Sequence, residues 1–147
     1  MLFDTLTAEE KALVEKMGSL TKLPKDGQIL REGSPGTSLY IIKSGAAQVR
    51  KQIDPDKYKQ LKDLQAGDFF GEMSLLTAAT RSANVIATAD CEVLEITREA
   101  LDRFAAAQPA AAMKLYRNIA VELARRLKKN NEELKTAILW ALDEMIT

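Results

Sequence analysis

The stretch FFGEMSLLTAATRSANV, residues 69–85, decides how the rest of the chain is interpreted. Gly71 has no Cβ, so the backbone at this point can approach a ligand closely. Residues 72–76 have the length and composition of a single helical turn. The free N–H groups at the start of such a turn favour a bound anion. The stretch therefore predicts a short helix whose first turn faces a negatively charged ligand.

Two charged side chains in this stretch could bind such a ligand. Glu72 starts the short helix, and nine residues later comes Arg81, the only formal cation between Lys62 and Arg98. Ser82 adds a hydroxyl directly after the arginine. A ligand with sugar hydroxyls and a phosphate could use all of these groups, with the phosphate on Arg81 and a ribose hydroxyl on Glu72.

Each of these residues also has a plainer interpretation. Gly71 could be an ordinary turn glycine, and Glu72 a solvated carboxylate that the helix dipole favours in a first turn. Arg81 could be a surface charge. It is the joint spacing of the three that favours a ligand site over these separate explanations.

The joint spacing resembles the phosphate-binding cassette of the cyclic nucleotide-binding domain family. The resemblance rests on FGEMSLL at 70–76, a four-residue spacer at 77–80, and RSA at 81–83. It implies that Glu72 takes the ribose 2′-hydroxyl and that Arg81 pairs with the cyclic phosphate. The implied cassette site consists of Phe70, Gly71, Glu72, Met73, Ser74, Arg81, Ser82 and Ala83.

Composition excludes several classes of protein. The chain has 21 Lys plus Arg and 21 Asp plus Glu, which gives no electrostatic reason to expect a nucleic acid or a membrane surface as partner. It has no histidine, which removes His-based catalysis and most zinc sites. The single Cys91 cannot form an internal disulfide, which fits a reducing cytoplasm. We expect a cytoplasmic protein without enzymatic activity, metal or cofactor.

Short apolar and β-branched runs alternate with turn signals between residues 20 and 97. The turn signals are KDG at 25–27, EGSPG at 32–36, SG at 44–45, DPD at 54–56 and AGD at 66–68. Such regular punctuation is typical of an antiparallel barrel or jelly roll. Val49, Leu61 and Leu64 would line the pocket wall behind the sugar and base, or simply belong to the barrel core.

Helical signals flank this β-rich region. Thr7 to Glu10 form a capping box for a short helix that Gly18 would end. Thr97 can cap a helix running to about residue 108, and Pro109 suits the first turn of the next one. We therefore expect one α+β domain over 1–147, an antiparallel jelly-roll barrel at 20–97 that contains the cassette at 70–83. Its helices would be the one-turn phosphate-binding helix, a short N-terminal helix at 7–18, and C-terminal helices at 97–108 and 109–146.

The last predicted helix is too long for a domain of this size to cover. At 1.5 Å per residue it would extend roughly 55 Å. Its apolar residues recur at heptad-like spacing at Met113, Ala120, Leu127, Leu134 and Ala141. This pattern predicts that the distal part packs against a second copy of the chain as a homodimer. The alternative is a helix that folds back at 130–131 onto its own barrel.

Asn130 and Asn131 lie in this helix, shortly after the sequence ARRL at 124–127. The segment resembles the same helix in the bacterial transcription factors of the family. The resemblance implies that the two positions contact the base of the nucleotide, one from each subunit. Asparagine offers both a donor and an acceptor to a purine. The alternative is a polar interruption that sets the register of a helix pair.

Two functions from different classes remain. The first is a cyclic nucleotide sensor, with cyclic AMP favoured over cyclic GMP as ligand, that signals by moving its terminal helices and acts on a separate effector protein. The second is a dimerisation or scaffold protein with a vacated pocket. Intact Glu72, Arg81 and Ser82 favour the sensor, because a vacated pocket would not need them. An enzyme on a cupin-like barrel is rejected, because metal-dependent cupins use histidine ligands.

Overall fold

The computed structural model describes residues 1–146 of the chain. Along the chain the elements are α1 Ala8–Met17, β1 Ser19–Leu23, β2 Gln28–Leu30, β3 Leu39–Ser44, β4 Ala46–Asp54, β5 Lys57–Gln65, β6 Phe69–Phe70, α2 Glu72–Thr77, β7 Asn84–Ala87, β8 Cys91–Ile96, α3 Arg98–Ala107 and α4 Pro109–Ile146.

The eight strands form two antiparallel four-stranded sheets. Their strand orders are β1-β8-β3-β6 and β2-β7-β4-β5. All of the pairings are antiparallel. The predicted α+β jelly roll with a short N-terminal helix and a long C-terminal helix is thus confirmed. Strand β1 was not predicted, because its residues are mostly exposed and it pairs with β8 alone.

Two apolar clusters fill the fold. One joins the first sheet to the helices and includes Phe69, Leu101 and Leu115. The other lies with the second sheet and includes Phe70 and Leu64. Adjacent residues of a strand point to opposite faces. Phe69 and Phe70 therefore pack into different clusters. Together they fix β6 on both of its faces, just before α2 begins.

Strands β4 and β5 form a long hairpin that reaches beyond the core. The predicted turn at 54–56 is where the hairpin reverses, and Asp54 pairs with Lys57. Every residue from 51 to 63 is exposed. The sequence predicted only short strands at Val49 and at 61–64, because lysines and glutamines in the outer part of the hairpin hide the β pattern.

The predicted helix caps are confirmed. The Thr7 hydroxyl accepts from the N–H of Glu10, whose carboxylate accepts from the N–H of Thr7. At α3, the Thr97 hydroxyl accepts from the N–H of Ala100 at 3.0 Å. Helix α4 begins at Pro109 as predicted and continues without interruption, so the fold-back alternative at 130–131 is wrong.

The N-terminal segment is fastened to the first half of α4. Buried Asn118 donates to the carbonyl oxygens of Leu2 and Asp4, at 2.7 and 2.5 Å. Lys114 forms an ion pair with Glu10 at 2.6 Å. The start of the chain and α4 therefore form one packed unit beside the barrel.

We expect the Lys114–Glu10 pair to make the free energy of unfolding decrease as the pH falls into the acidic range. The hydrogen bond from Lys114 lowers the pKa of Glu10 below its ordinary 4.5. The stabilisation is fully present above pH 4.5 and is lost as the pH falls through the lower pKa of the folded state. Glu10→Gln should therefore reduce the loss of unfolding free energy below pH 4.5, measured by urea denaturation at stepwise lower pH.

Glu9→Gln is the matched control, since Glu9 occupies the same turn and forms no ion pair recorded among residues 1–146. The hydrogen bond from Lys43 lowers the pKa of Glu15 as well. Glu10→Gln therefore removes only part of the acid dependence. Identical pH profiles for Glu10→Gln and the wild type would contradict the assignment.

Candidate functional site

A cavity of about 350 Å³ lies between the inner face of the second sheet, α2 and α4. Twelve of the thirteen predicted site residues line it. They are Val49, Leu61, Leu64, Phe70, Gly71, Glu72, Met73, Ser74, Arg81, Ser82, Ala83 and Asn130. The structure thus brings the cassette, the barrel wall and the long helix together around one space.

Gly71 joins β6 to α2 at the floor of this cavity. Its φ of +88° lies in the left-handed region, which favours glycine. A Cβ at this position would lie 2.7 Å from the Ser38 carbonyl oxygen. The glycine lets the chain turn sharply into α2. Residues 71–74, at the start of this helix, line the cavity, and N–H groups of a first helical turn have no acceptor within the helix.

Arg81 is buried, with 5% of its surface exposed. Its Nη2 donates to the Ser38 carbonyl at 3.0 Å, and its Nη1 donates to the Gly71 carbonyl at 3.3 Å. The guanidinium carbon lies 5.8 Å from the centroid of the Tyr40 ring. Both acceptors are neutral, and within residues 1–146 no carboxylate forms an ion pair with Arg81. A buried cation in this state favours an anionic ligand.

Glu72, which is 6% exposed, is held by a residue from α4. Arg126 Nη1 lies 2.5 Å from Glu72 Oε1, and Arg126 Nη2 donates to the Phe69 carbonyl at 3.1 Å. Glu122, one helical turn earlier, accepts from Arg126 Nε at 3.2 Å. The carboxylate that the sequence assigns to a ribose is therefore connected directly to the long helix.

The three predicted wall residues differ in their surroundings. Leu64 is buried in the apolar cluster of the second sheet and also lines the cavity. Val49 is partly buried against the same cluster. Leu61 is 51% exposed and belongs to the cavity rim. The two interpretations offered by the sequence, pocket wall and barrel core, thus both hold for Leu64.

The two asparagines of α4 face different spaces. Asn130 lines the cavity, one turn beyond Arg126. Asn131 does not line it. It lies in a separate groove on α4, formed with Ala124, Leu127, Lys128, Glu132 and Lys135. Helix α4 therefore places Asn130 at the cavity of the barrel and Asn131 in a different groove.

Two charged residues that the sequence analysis did not select also line the cavity, Lys62 and Arg126. Apolar Leu30, Phe69 and Val85 complete the lining. A signal for Arg126 was present in the sequence, because residues four apart share a helix face and Asn130 was already a candidate. Arg126 is paired with two carboxylates, those of Glu72 and Glu122. Among residues 1–146, Arg81 and Lys62 are therefore the cations of the lining that form no ion pair.

Within residues 1–146, no group of three or more possible metal-binding side chains comes together. The same part of the chain contains no helix with the length and apolar character needed to cross a membrane.

Comparison with known proteins agrees with this geometry. The sequence profile of the cyclic nucleotide-binding domain matches residues 20–108, which include the whole cassette and all strand residues except Ser19. A cyclic-AMP-dependent protein kinase regulatory subunit from Colletotrichum orbiculare is 34% identical over 102 residues, covering 69% of this chain and 25% of that protein.

Similarity to bacterial proteins extends further along the chain. The cyclic AMP receptor protein of Thermus thermophilus is 33% identical over 133 residues, covering 90% of this chain and 60% of that protein. The crystal structure of the catabolite activator protein of Thermus thermophilus superposes with a TM-score of 0.82 at 32% identity, covering 91% of this chain and 61% of the other. The chain thus spans from a quarter to about three fifths of the length of these relatives.

Proposed function

Because the chain belongs to the cyclic nucleotide-binding domain family, we propose that its cavity binds a cyclic purine mononucleotide and that α4 transmits the binding event. The observation that carries the proposal is the Arg81 guanidinium, which lines the cavity and is buried with no carboxylate partner among residues 1–146. A cyclic phosphodiester supplies the missing negative charge. The proposed role is regulatory binding, without catalysis.

The phosphate would lie between Arg81 and the first turn of α2. Arginine has five N–H donors, and two of the bonds they can form go to carbonyls of the protein. Donors of the planar guanidinium therefore remain for a phosphate oxygen. The free N–H groups of residues 72–74 and the exposed Ser82 hydroxyl supply further donors at the same end of the cavity.

The ribose would lie over Glu72. The ion pair with Arg126 uses Oε1 of this carboxylate. An ionised carboxylate accepts hydrogen bonds at both oxygens. Oε2 can therefore accept from a 2′-hydroxyl while Arg126 stays in place, and the ligand would join an existing network instead of breaking it.

The base would extend along Val49 and Leu64 toward Asn130 on α4. The amide of asparagine matches the N6 and N7 edge of adenine, with one acceptor for the amino group and one donor for the ring nitrogen. This complementarity supports cyclic AMP over cyclic GMP. The names of the kinase subunit and the receptor protein, both of which refer to cyclic AMP, support the same preference.

The signal would pass through Arg126. This side chain contacts Glu72 and the Phe69 carbonyl, which flank the entry to α2, and it belongs to α4. A ligand that favours one arrangement of Glu72 therefore favours one position of α4. Since the start of the chain is fastened to α4 through Asn118, both terminal helices would respond together. We propose a separate cytoplasmic effector protein as the receiver.

We also propose that α4 forms a homodimer. Every residue from 127 to 145 is exposed, including Leu127, Leu134 and Ile138. Exposed apolar residues at heptad spacing are the pattern of a helix that pairs with another. A second copy would also bring its Asn131 close to the cavity from the far side, as the resemblance implies.

The wild-type protein should gain thermal stability with cyclic AMP and, to a smaller extent, with cyclic GMP. A ligand that binds only the folded state stabilises it by about 2.7 kcal/mol at a concentration of 100 Kd. The measurement is a thermal-shift titration, with 5′-AMP as the control ligand of similar composition. No shift with any cyclic nucleotide would reject the sensor and leave the dimerisation or scaffold function.

A further inference from the structure

The loop between β2 and β3, residues 31–38, is tied to the main chain at Arg81. The N–H of Gly33 donates to the Arg81 carbonyl at 2.8 Å, and the N–H of Arg81 donates to the Ser34 carbonyl at 2.9 Å. The loop and the arginine are almost fifty residues apart in sequence, yet they pair like neighbouring strands. The backbone position of Arg81 is therefore set by this loop as well as by the cassette.

The same loop holds the side chain. The Ser38 carbonyl, at the end of the loop, accepts from Nη2 at 3.0 Å. The Tyr40 ring lies 5.8 Å from the guanidinium carbon and stacks on Phe70 at a centroid distance of 5.4 Å. The guanidinium is thus in contact with the Ser38 and Gly71 carbonyls and lies near the Tyr40 ring, and Gly36 lies beside its Nη2 and Nε atoms.

Gly36 leaves space that the guanidinium needs. A Cβ on Gly36 would lie 3.0 Å from Arg81 Nη2 and 3.3 Å from Nε. These distances are too short for ordinary van der Waals contact, so either the loop or the guanidinium would have to move. Gly33, in the same loop, differs in this respect, because a Cβ there would meet no atom within 4 Å.

We propose that Gly36 is a positioning residue for ligand binding. The absence of a side chain at this point lets the guanidinium keep its hydrogen bond to Ser38 while its remaining donors face the cavity. A planar guanidinium binds phosphate well only when its orientation is fixed, because two of its N–H donors must point at the phosphate oxygens at the same time. This inference rests on the proposed cyclic nucleotide binding and adds a residue outside the cassette to it.

An alanine substitution at Gly36 tests this role, with Gly67→Ala as its control outside the site. Both glycines have positive φ, +154° at Gly36 and +94° at Gly67, so alanine strains the backbone at each. Only Gly36→Ala also meets the guanidinium, because a Cβ on Gly67 would meet no atom within 4 Å. By calorimetry we expect Gly36→Ala to weaken cyclic AMP binding by about tenfold or more, the size expected when a charged hydrogen bond is disturbed, and Gly67→Ala to change it by less than about threefold.

The second readout is the phosphate itself. The two phosphorothioate diastereomers of cyclic AMP differ only in which exocyclic oxygen is replaced by sulfur. The wild type should prefer one of them, because Arg81 faces one side of the phosphate, and Gly36→Ala should reduce that preference. Loss of the 2′-hydroxyl, tested with 2′-deoxy cyclic AMP, should cost the same in both proteins, because Glu72 does not touch Gly36.

A double substitution completes the test and keeps it decisive if Gly36→Ala lowers stability. The background is Arg81→Lys, which removes the guanidinium that a Cβ at position 36 would meet and keeps an affinity that calorimetry can measure. Adding Gly36→Ala to it should cost clearly less affinity than adding Gly36→Ala to the wild type, while the backbone strain at position 36 is the same in both. Equal losses in both backgrounds, or an unchanged diastereomer preference, would show that Gly36 serves only the loop and would overturn the inference. Absence of binding in the wild type would instead reject the proposed function.

Discussion

Arg81→Ala is expected to abolish measurable cyclic nucleotide binding at micromolar concentrations. Removing one partner of a buried charged pair costs roughly 2–5 kcal/mol, which corresponds to a loss of about 30-fold to several thousand-fold in affinity. The effect should be at the upper end, because Arg81 is only 5% exposed and its ion pair with the phosphate would form away from water. Isothermal titration calorimetry with cyclic AMP measures the loss.

Two further variants control for charge and for folding. Arg31→Ala removes the same charge from an exposed position in the β2–β3 loop and should leave the affinity within about twofold, the range of a screened surface charge. Arg81→Lys keeps the charge but lacks the planar fork and should give an intermediate affinity. Circular dichroism checks that each variant is folded. Wild-type affinity in folded Arg81→Ala would contradict the assigned site.

The sequence predicted Arg81 and Glu72 because their spacing is a local pattern. Everything that orients these two side chains comes from farther away. The Ser38 carbonyl is 43 residues from Arg81, and Arg126 is 54 residues from Glu72. Neither separation follows a helix or strand period, so no periodicity in the sequence could point to them. Only the folded barrel shows that Arg81 and Glu72 are held by separate residues.

The strands were predicted well where most of their side chains are buried and poorly where most of their side chains are exposed. The strands at 39–42 and 93–96 were identified from their apolar runs, and most of these side chains are buried in the two clusters. Strand β1 and the outer half of the β4–β5 hairpin have mostly exposed side chains, so backbone pairing and not side-chain burial defines them. An exposed strand leaves little hydrophobic signal in a sequence.

Helix α4 was predicted nearly to the residue because proline begins it and no helix breaker interrupts it. What the pattern left open was whether its distal half returns to the barrel. The structure answers this with one uninterrupted helix, Pro109–Ile146. Its last buried residue is Glu122, and every residue from 127 to 145 is exposed. The ligand network and the uncovered half of the helix therefore meet at the same turn. We therefore expect that a change in the contacts of Glu72 alters the pairing of the helices. A change in the pairing should likewise alter the contacts of Glu72.

Leu134→Glu is expected to convert the proposed dimer to a monomer. Leu134 is 60% exposed, so the substitution removes no contact of the single chain, and the barrel should stay folded. In a paired helix, two charges would face each other at the centre of the apolar row and oppose association. Thr136→Glu is the control. Position 136 is two residues after Leu134, which is about 200° around the helix, so the same new charge points away from the apolar row. Light scattering coupled to size exclusion gives the masses. A wild type that remains monomeric at every concentration, or a dimeric Leu134→Glu, would contradict the proposal.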